Sequence, residues 1–74
     1  MKMSEGFKIR FRELAATLET EHFRECAQMI GISVSTFSNA YYLGILPPTA
    51  TVRKIANFFD VSVDYLLGKT DRKQ

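Results

Sequence analysis

The 74-residue chain has no tryptophan, one cysteine, one histidine and two prolines. Cys26 alone cannot close an internal disulfide, and with only His22 beside it in the inventory it cannot assemble a metal site. The residues therefore call for neither a metal nor a cofactor, and they fit a reducing compartment and a fold held by an apolar core. No run approaches the ~20 apolar residues that a membrane span needs. The longest near-apolar segment, Ala40 to Leu46, includes two tyrosines and a glycine. The start of the chain, Met1-Lys2-Met3-Ser4-Glu5-Gly6, leads into charged sequence rather than an apolar leader, so a cytoplasmic location with no membrane partner is expected. With 46% hydrophobic and 24% charged residues and only 4 glycines, disorder and collagen-like repeats are excluded. One small domain is expected, with a radius of gyration of ~11 Å.

Charge is also missing from one place. Ten Lys and Arg against eight Asp and Glu leave a net charge of +2, a mild bias that permits an anionic partner. The charges are confined to the two ends of the chain, and from Gly31 to Val52 there is no charged side chain at all.

What is present is helical periodicity. Phe7, Phe11, Leu14 and Leu18 share one face of a first helix over about 6–18. Thr20 is placed to cap a second helix, whose Phe23, Cys26, Ala27 and Ile30 repeat at helical spacing until Gly31 ends it with a left-handed residue. Ser33 caps a third helix through about Tyr42, with Phe37, Ala40 and Tyr41 inward. Gly44 and Pro47-Pro48 form a loop. Thr49 or Thr51 starts a fourth helix buried through Val52, Ile55, Ala56 and Phe59. Ser62 caps a short fifth helix with Val63, Leu66 and Leu67 inward and Gly68 at its end. Residues 69–74 read as a frayed polar tail. Alternation of the strand type never lasts, so the fold class is all-α.

Three segments carry a resemblance. Cys26-Ala27-Gln28-Met29-Ile30-Gly31-Ile32-Ser33 resembles the "LA-x-x-x-G-[IV]-S" of the lambda-repressor/Cro-like, or XRE-type, family of helix-turn-helix proteins. Ser35-Thr36-Phe37-Ser38 resembles the "S-T-[IF]-S" of its recognition helix, and Asp60 to Gly68 resembles its closing "x-V-S-[VL]-D-[YW]-L-L-G". Pro47 and Ala56 also stand at matching positions, and the likeness covers about residues 7–68. It implies a five-helix lambda-repressor-like DNA-binding domain over 1–68, followed by the tail. Each matching residue also has a packing reason: Ala27 lets two helices approach, Gly31 accepts positive φ, and Phe37, Val63, Leu66 and Leu67 fill a core. Function therefore has to be argued from the exposed face.

Carried over residue by residue, the resemblance implies base contacts from Val34, Ser35, Ser38 and Asn39 in the major groove of double-stranded DNA. The Asn39 amide suits adenine N6 and N7, and Val34 suits a thymine methyl. Phosphate contacts fall to Arg24, Ser33, Thr36, Thr49, Arg53 and Lys54. The chain departs from the family in three respects. Phe23 stands where the family often has Gln. The Arg of the first helix and the Glu that ends the third are replaced by Ala15 or Ala16 and by Tyr41. Leu43 precedes the glycine, Gly44. Two functional expectations follow. One is a transcriptional regulator acting as a homodimer, a repressor by occlusion because 74 residues leave no room for a ligand-sensing domain. With about four cations per subunit its log–log salt slope would be roughly −7. The other is an antirepressor-like or antitoxin-like module that binds a protein partner through the uncharged Tyr41–Pro48 stretch, with little salt dependence. His22 lacks a carboxylate or cysteine partner at catalytic spacing, and no phosphate-binding glycine loop or nucleophile elbow is present, so an enzyme is not expected.

Overall fold

Each helix boundary in the computed structural model, which describes residues 3–74, has a local physical cause. Met1 and Lys2, which the sequence reading includes in the domain and in its account of the N-terminus, lie outside the described residues. The order is α1 (Glu5–Ala15), α2 (Phe23–Ile30), α3 (Val34–Leu43), α4 (Thr49–Phe59) and α5 (Val63–Leu66). Among the described residues, extended pairing is limited to one antiparallel bridge between Met3 and Ile45. The protein is all-α.

α1 starts on Ser4, whose hydroxyl accepts from the Phe7 N–H at 3.2 Å. It ends three residues before the predicted Leu18. The Thr17 hydroxyl donates to the Leu14 carbonyl at 2.6 Å, and the Thr17 and Leu18 N–H groups reach back only three residues, to Leu14 and Ala15. A side chain that competes for backbone acceptors tightens and ends the last turn. Leu18 still packs against the core from the loop. His22 occupies the cap position of α2 without a side-chain bond, while the Thr20 hydroxyl accepts from the His22 N–H at 3.1 Å and donates to Glu25 at 2.6 Å. Thr20 orders the approach to the helix rather than capping it.

Gly31 closes α2 with φ 90°, and the Ser33 hydroxyl opens α3 by accepting from the Thr36 N–H at 3.1 Å. Only the Gly31–Ser33 turn separates the two helices. Gly44, also left-handed at φ 67°, ends α3. Pro48, with its ring-fixed φ, precedes α4, which begins at Thr49. Asp60 is left-handed with φ 57°, and its N–H and that of Val61 bond to the carbonyls of Asn57 and Ala56, a paired closure that satisfies the helix end. The Ser62 hydroxyl then accepts from the Tyr65 N–H at 3.0 Å.

Phe7, Phe11, Phe37, Ile55 and Leu66 are fully buried and draw all but α2 into one core, to which α2 adds Cys26, Ala27 and Ile30. The aromatic rings form a continuous column: Phe7 to Phe11 at 5.6 Å, Phe11 to Phe37 at 5.0 Å, Phe37 to Phe23 at 4.8 Å, and Phe23 to Tyr41 at 4.9 Å. Tilted and edge-on rings at such separations add to the area they bury. In α5 Tyr65 is buried along with Leu66, while Val63 and, just past the helix, Leu67 are only half-buried. The radius of gyration is 10.9 Å.

The tail is not frayed. Arg10 lies over the Tyr65 ring, 4.1 Å from its centroid, and donates to Asp71 at 2.8 Å. The Ser62 N–H donates to the Lys73 carbonyl, and Gln74 donates to the Asp60 carbonyl at 2.8 Å. Residues 69–74 thus lie back along α1 and the α4–α5 corner.

Candidate nucleic-acid interface

α3 buries Phe37 and Ala40 and half-buries Thr36 and Tyr41 on one side. At ~100° per residue, the opposite side consists of Ser35, Ser38, Asn39 and Tyr42, with Val34 and Leu43 at its two edges beside Tyr41 and Thr36. Val34 is 44% exposed, Tyr42 58% and Leu43 54%; Ser35 and Asn39 are exposed and Ser38 is half-exposed. Of the four side chains expected to meet bases, Ser35, Ser38 and Asn39 share the outward face and Val34 stands exposed at its edge. The Asn39 backbone carbonyl accepts from the Gly44 and Ile45 N–H groups, which leaves its amide as the outward hydrogen-bonding group. Tyr42, three residues after Asn39 and seven after Ser35, belongs to the same face. That spacing is visible in the sequence, but the aromatic context of Tyr42 directs attention to a protein-binding patch instead.

Phe23 begins α2 and its ring lies 5.6 Å from that of Tyr42, which brings the start of α2 beside the end of α3; Arg24, exposed, is the next residue of α2. At the other end, Lys54 donates to the Gly31 carbonyl at 3.2 Å, which places the first half of α4 beside the turn into α3. Arg53, exposed, precedes it there, and Thr49 stands exposed at the start of the same helix. Ser33 and Thr36 are engaged with each other: the Ser33 hydroxyl donates to Thr36 Oγ1 at 2.8 Å.

Other cations are turned to the fold itself. Arg10–Asp71 is the one ion pair among the described residues, and Arg12 stands 4.7 Å from the centroid of the Tyr41 ring. The α1 side chain that engages Tyr41 is thus Arg12, and the positive charge is retained on an aromatic face. Phe23, half-buried, joins the ring column with its ring 4.8 Å from that of Phe37.

The uncharged Tyr41–Pro48 stretch is not one surface. Tyr41 and Leu46 pack against the core, Ile45 pairs with Met3, and Tyr42, Leu43 and Pro48 remain exposed. A cleft of about 510 Å3 opens instead between the 16–22 loop, α2 and α3, over Phe23, Cys26 and Tyr41. The Cys26 thiol is buried, and desolvation, with the nearby Glu25 charge second, pushes its pKa up; a neutral buried thiol is a poor nucleophile. Among the described residues no three His, Cys, Asp or Glu side chains gather as metal ligands, and no helix is long and apolar enough to cross a membrane.

Comparison of the chain with protein-family models, with curated proteins and with solved structures finds no match.

Proposed function

We propose that the protein is a sequence-specific double-stranded DNA-binding regulator of transcription, a repressor that acts as a homodimer. In this reading α2, the Gly31–Ser33 turn and α3 form a helix-turn-helix of the lambda-repressor type, with α3 in the major groove and α2 across the backbone. The observation that carries it is the outward face of α3. Its first half carries only short polar and small apolar side chains, Val34, Ser35, Ser38 and Asn39, with no side-chain tie at Asn39, and exposed arginines stand on the neighbouring helices at Arg24 and Arg53. Long charged side chains would be expected if this face were merely solvated. Short ones let a helix approach base edges closely.

Affinity then comes from few phosphate contacts. With Arg10, Arg12 and Lys54 engaged within the chain, Arg24 and Arg53 serve each protomer. A dimer neutralising four phosphates has a log–log salt slope of about −4, shallower than the −7 or so that four cations per subunit would give. Thr49 and the first N–H groups of α4 supplement these contacts without charge. A second half-site is needed because one domain of this size reads too few bases to bind tightly.

Selection of bound duplexes from a random pool, at low and at moderate salt, tests the reading. An enriched inverted repeat whose binding is lost with Asn39→Ala is the expected result. Absence of enrichment at both salts, with the protein folded, refutes it and turns attention to Tyr42, Leu43 and Pro48 as contacts for a protein partner.

A further inference from the structure

We infer that the bases read by α3 are A·T pairs, with Asn39 on adenine and Val34 on the thymine methyl as the two specificity-determining side chains. The inference rests on the DNA-binding reading and adds to it the chemical class of the half-site.

Guanine presents two acceptors, O6 and N7, in the major groove, and the group that meets both is a guanidinium or an ammonium. Between Gly31 and Val52 the chain has neither. Lys54 donates to the Gly31 carbonyl at 3.2 Å and Arg12 lies 4.7 Å from the centroid of the Tyr41 ring, while the exposed Arg24 and Arg53 belong to α2 and α4, where the proposed function sets them on phosphates. Cytosine presents the N4 donor, which a carboxylate would accept, and no carboxylate lies in that segment either.

Adenine presents one donor and one acceptor, N6 and N7. A carboxamide has one acceptor oxygen and one donor nitrogen, so Asn39 matches adenine with two bonds and guanine with only one. Against guanine the amide oxygen would face O6 or N7, acceptor to acceptor, and one buried polar atom would be left unpaired. Val34, 44% exposed, offers only methyl groups. A thymine C5-methyl packs against them, whereas cytosine would bring its N4 donor towards an apolar surface with no acceptor. Ser35 and Ser38 donate to or accept from any base and leave the preference intact. Asn39 lies five residues beyond Val34, ~7.5 Å along the helix axis, so the two side chains address different base pairs.

The test starts from the duplexes selected with the full chain and reads the base composition opposite α3. The expected half-site has A·T pairs at the positions that Asn39→Ala and Val34→Ala each relax, and changing one such pair to G·C weakens binding about 5- to 150-fold. Deoxyuridine in place of thymidine at the Val34 position removes only the methyl group; it weakens the wild-type complex several-fold and leaves Val34→Ala unaffected. Both substitutions lie on the exposed face, and their far-UV circular dichroism should match the wild type. An enriched, salt-sensitive operator with G·C at those positions overturns the inference and leaves DNA binding standing, as does an equal response to deoxyuridine in wild type and Val34→Ala. Absence of any enriched duplex overturns both.

Discussion

Two glycines of the domain share a left-handed conformation but differ in surroundings, and replacing each by alanine separates backbone strain from steric exclusion. Gly31 has φ 90°, and a Cβ built there would meet only the Lys54 side chain, at 3.6 Å. Gly44 has φ 67°, and its Cβ would lie 2.7 Å from the Ser4 carbonyl oxygen and 2.8 Å from the Lys8 Cβ. A non-glycine residue in this region costs about 1–2 kcal/mol, which is all that Gly31→Ala should lose. Gly44→Ala adds the displacement of Ser4, whose N–H donates to the Gly44 carbonyl at 2.8 Å. Losing that bond and the alignment of the start of α1 adds about 1–2 kcal/mol, for a total of roughly 2–4 kcal/mol. One kcal/mol shifts the melting temperature of a domain this small by about 4–8 °C. Thermal unfolding followed by circular dichroism should show Gly31→Ala lower by roughly 4–16 °C and Gly44→Ala by about twice as much. Asparagine, which tolerates the left-handed region but keeps a Cβ, should nearly restore position 31 and leave position 44 damaged. Equal shifts at the two positions, or rescue of position 44 by asparagine, would refute the reasoning.

Three other predictions address charge and titration. Arg53→Ala should flatten the log–log salt dependence of DNA binding by about 1 per protomer, whereas Lys54→Met should weaken binding at an unchanged slope, because Lys54 supports the turn into α3; a flatter slope for Lys54→Met would place its ammonium on a phosphate instead. The raised pKa of Cys26 favours the folded state while the thiol is neutral, and that contribution is lost as pH rises above the ordinary thiol value of about 8.5. The stability difference between wild type and Cys26→Ala in urea titrations should therefore narrow on the alkaline side, and a constant difference would contradict the burial. Asp60→Gly relieves the one left-handed non-glycine residue among those described and should raise stability by about 0.5–1 kcal/mol in the same titrations.

The helices were legible in the sequence wherever a single local cause sets them. Gly31, Ser33, Gly44 and Ser62 stop or start helices through their own backbone preference or hydroxyl group, and Phe7, Phe11, Phe37 and Ile55 announce buried faces by their spacing. The early end of α1 was not legible, since it depends on which acceptor the Thr17 hydroxyl chooses. Nor was the burial of Tyr65, because a helix of four residues is too short to show a period. The contacts that decide which cations face outward join residues far apart in the chain: Arg12 with Tyr41, Arg10 with Tyr65 and Asp71, Lys54 with Gly31. Periodicity carries no information about such pairs. The outward row on α3 could be assembled by counting residues, and the structure adds Tyr42 to it.

The chain has three tyrosines and no tryptophan, and their placement has an optical consequence. Tyr65 lies under Arg10 and Tyr41 under Arg12, both with rings turned to the interior, while Tyr42 shares the exposed side of α3. Ultraviolet emission from the protein therefore comes from two internal reporters of folding and one external reporter of whatever meets α3. A ligand on that helix should alter chiefly the emission of Tyr42 and of Tyr41, whose ring lies 5.2 Å away, and Tyr42→Phe would weaken that signal while preserving the Tyr65 emission that follows unfolding.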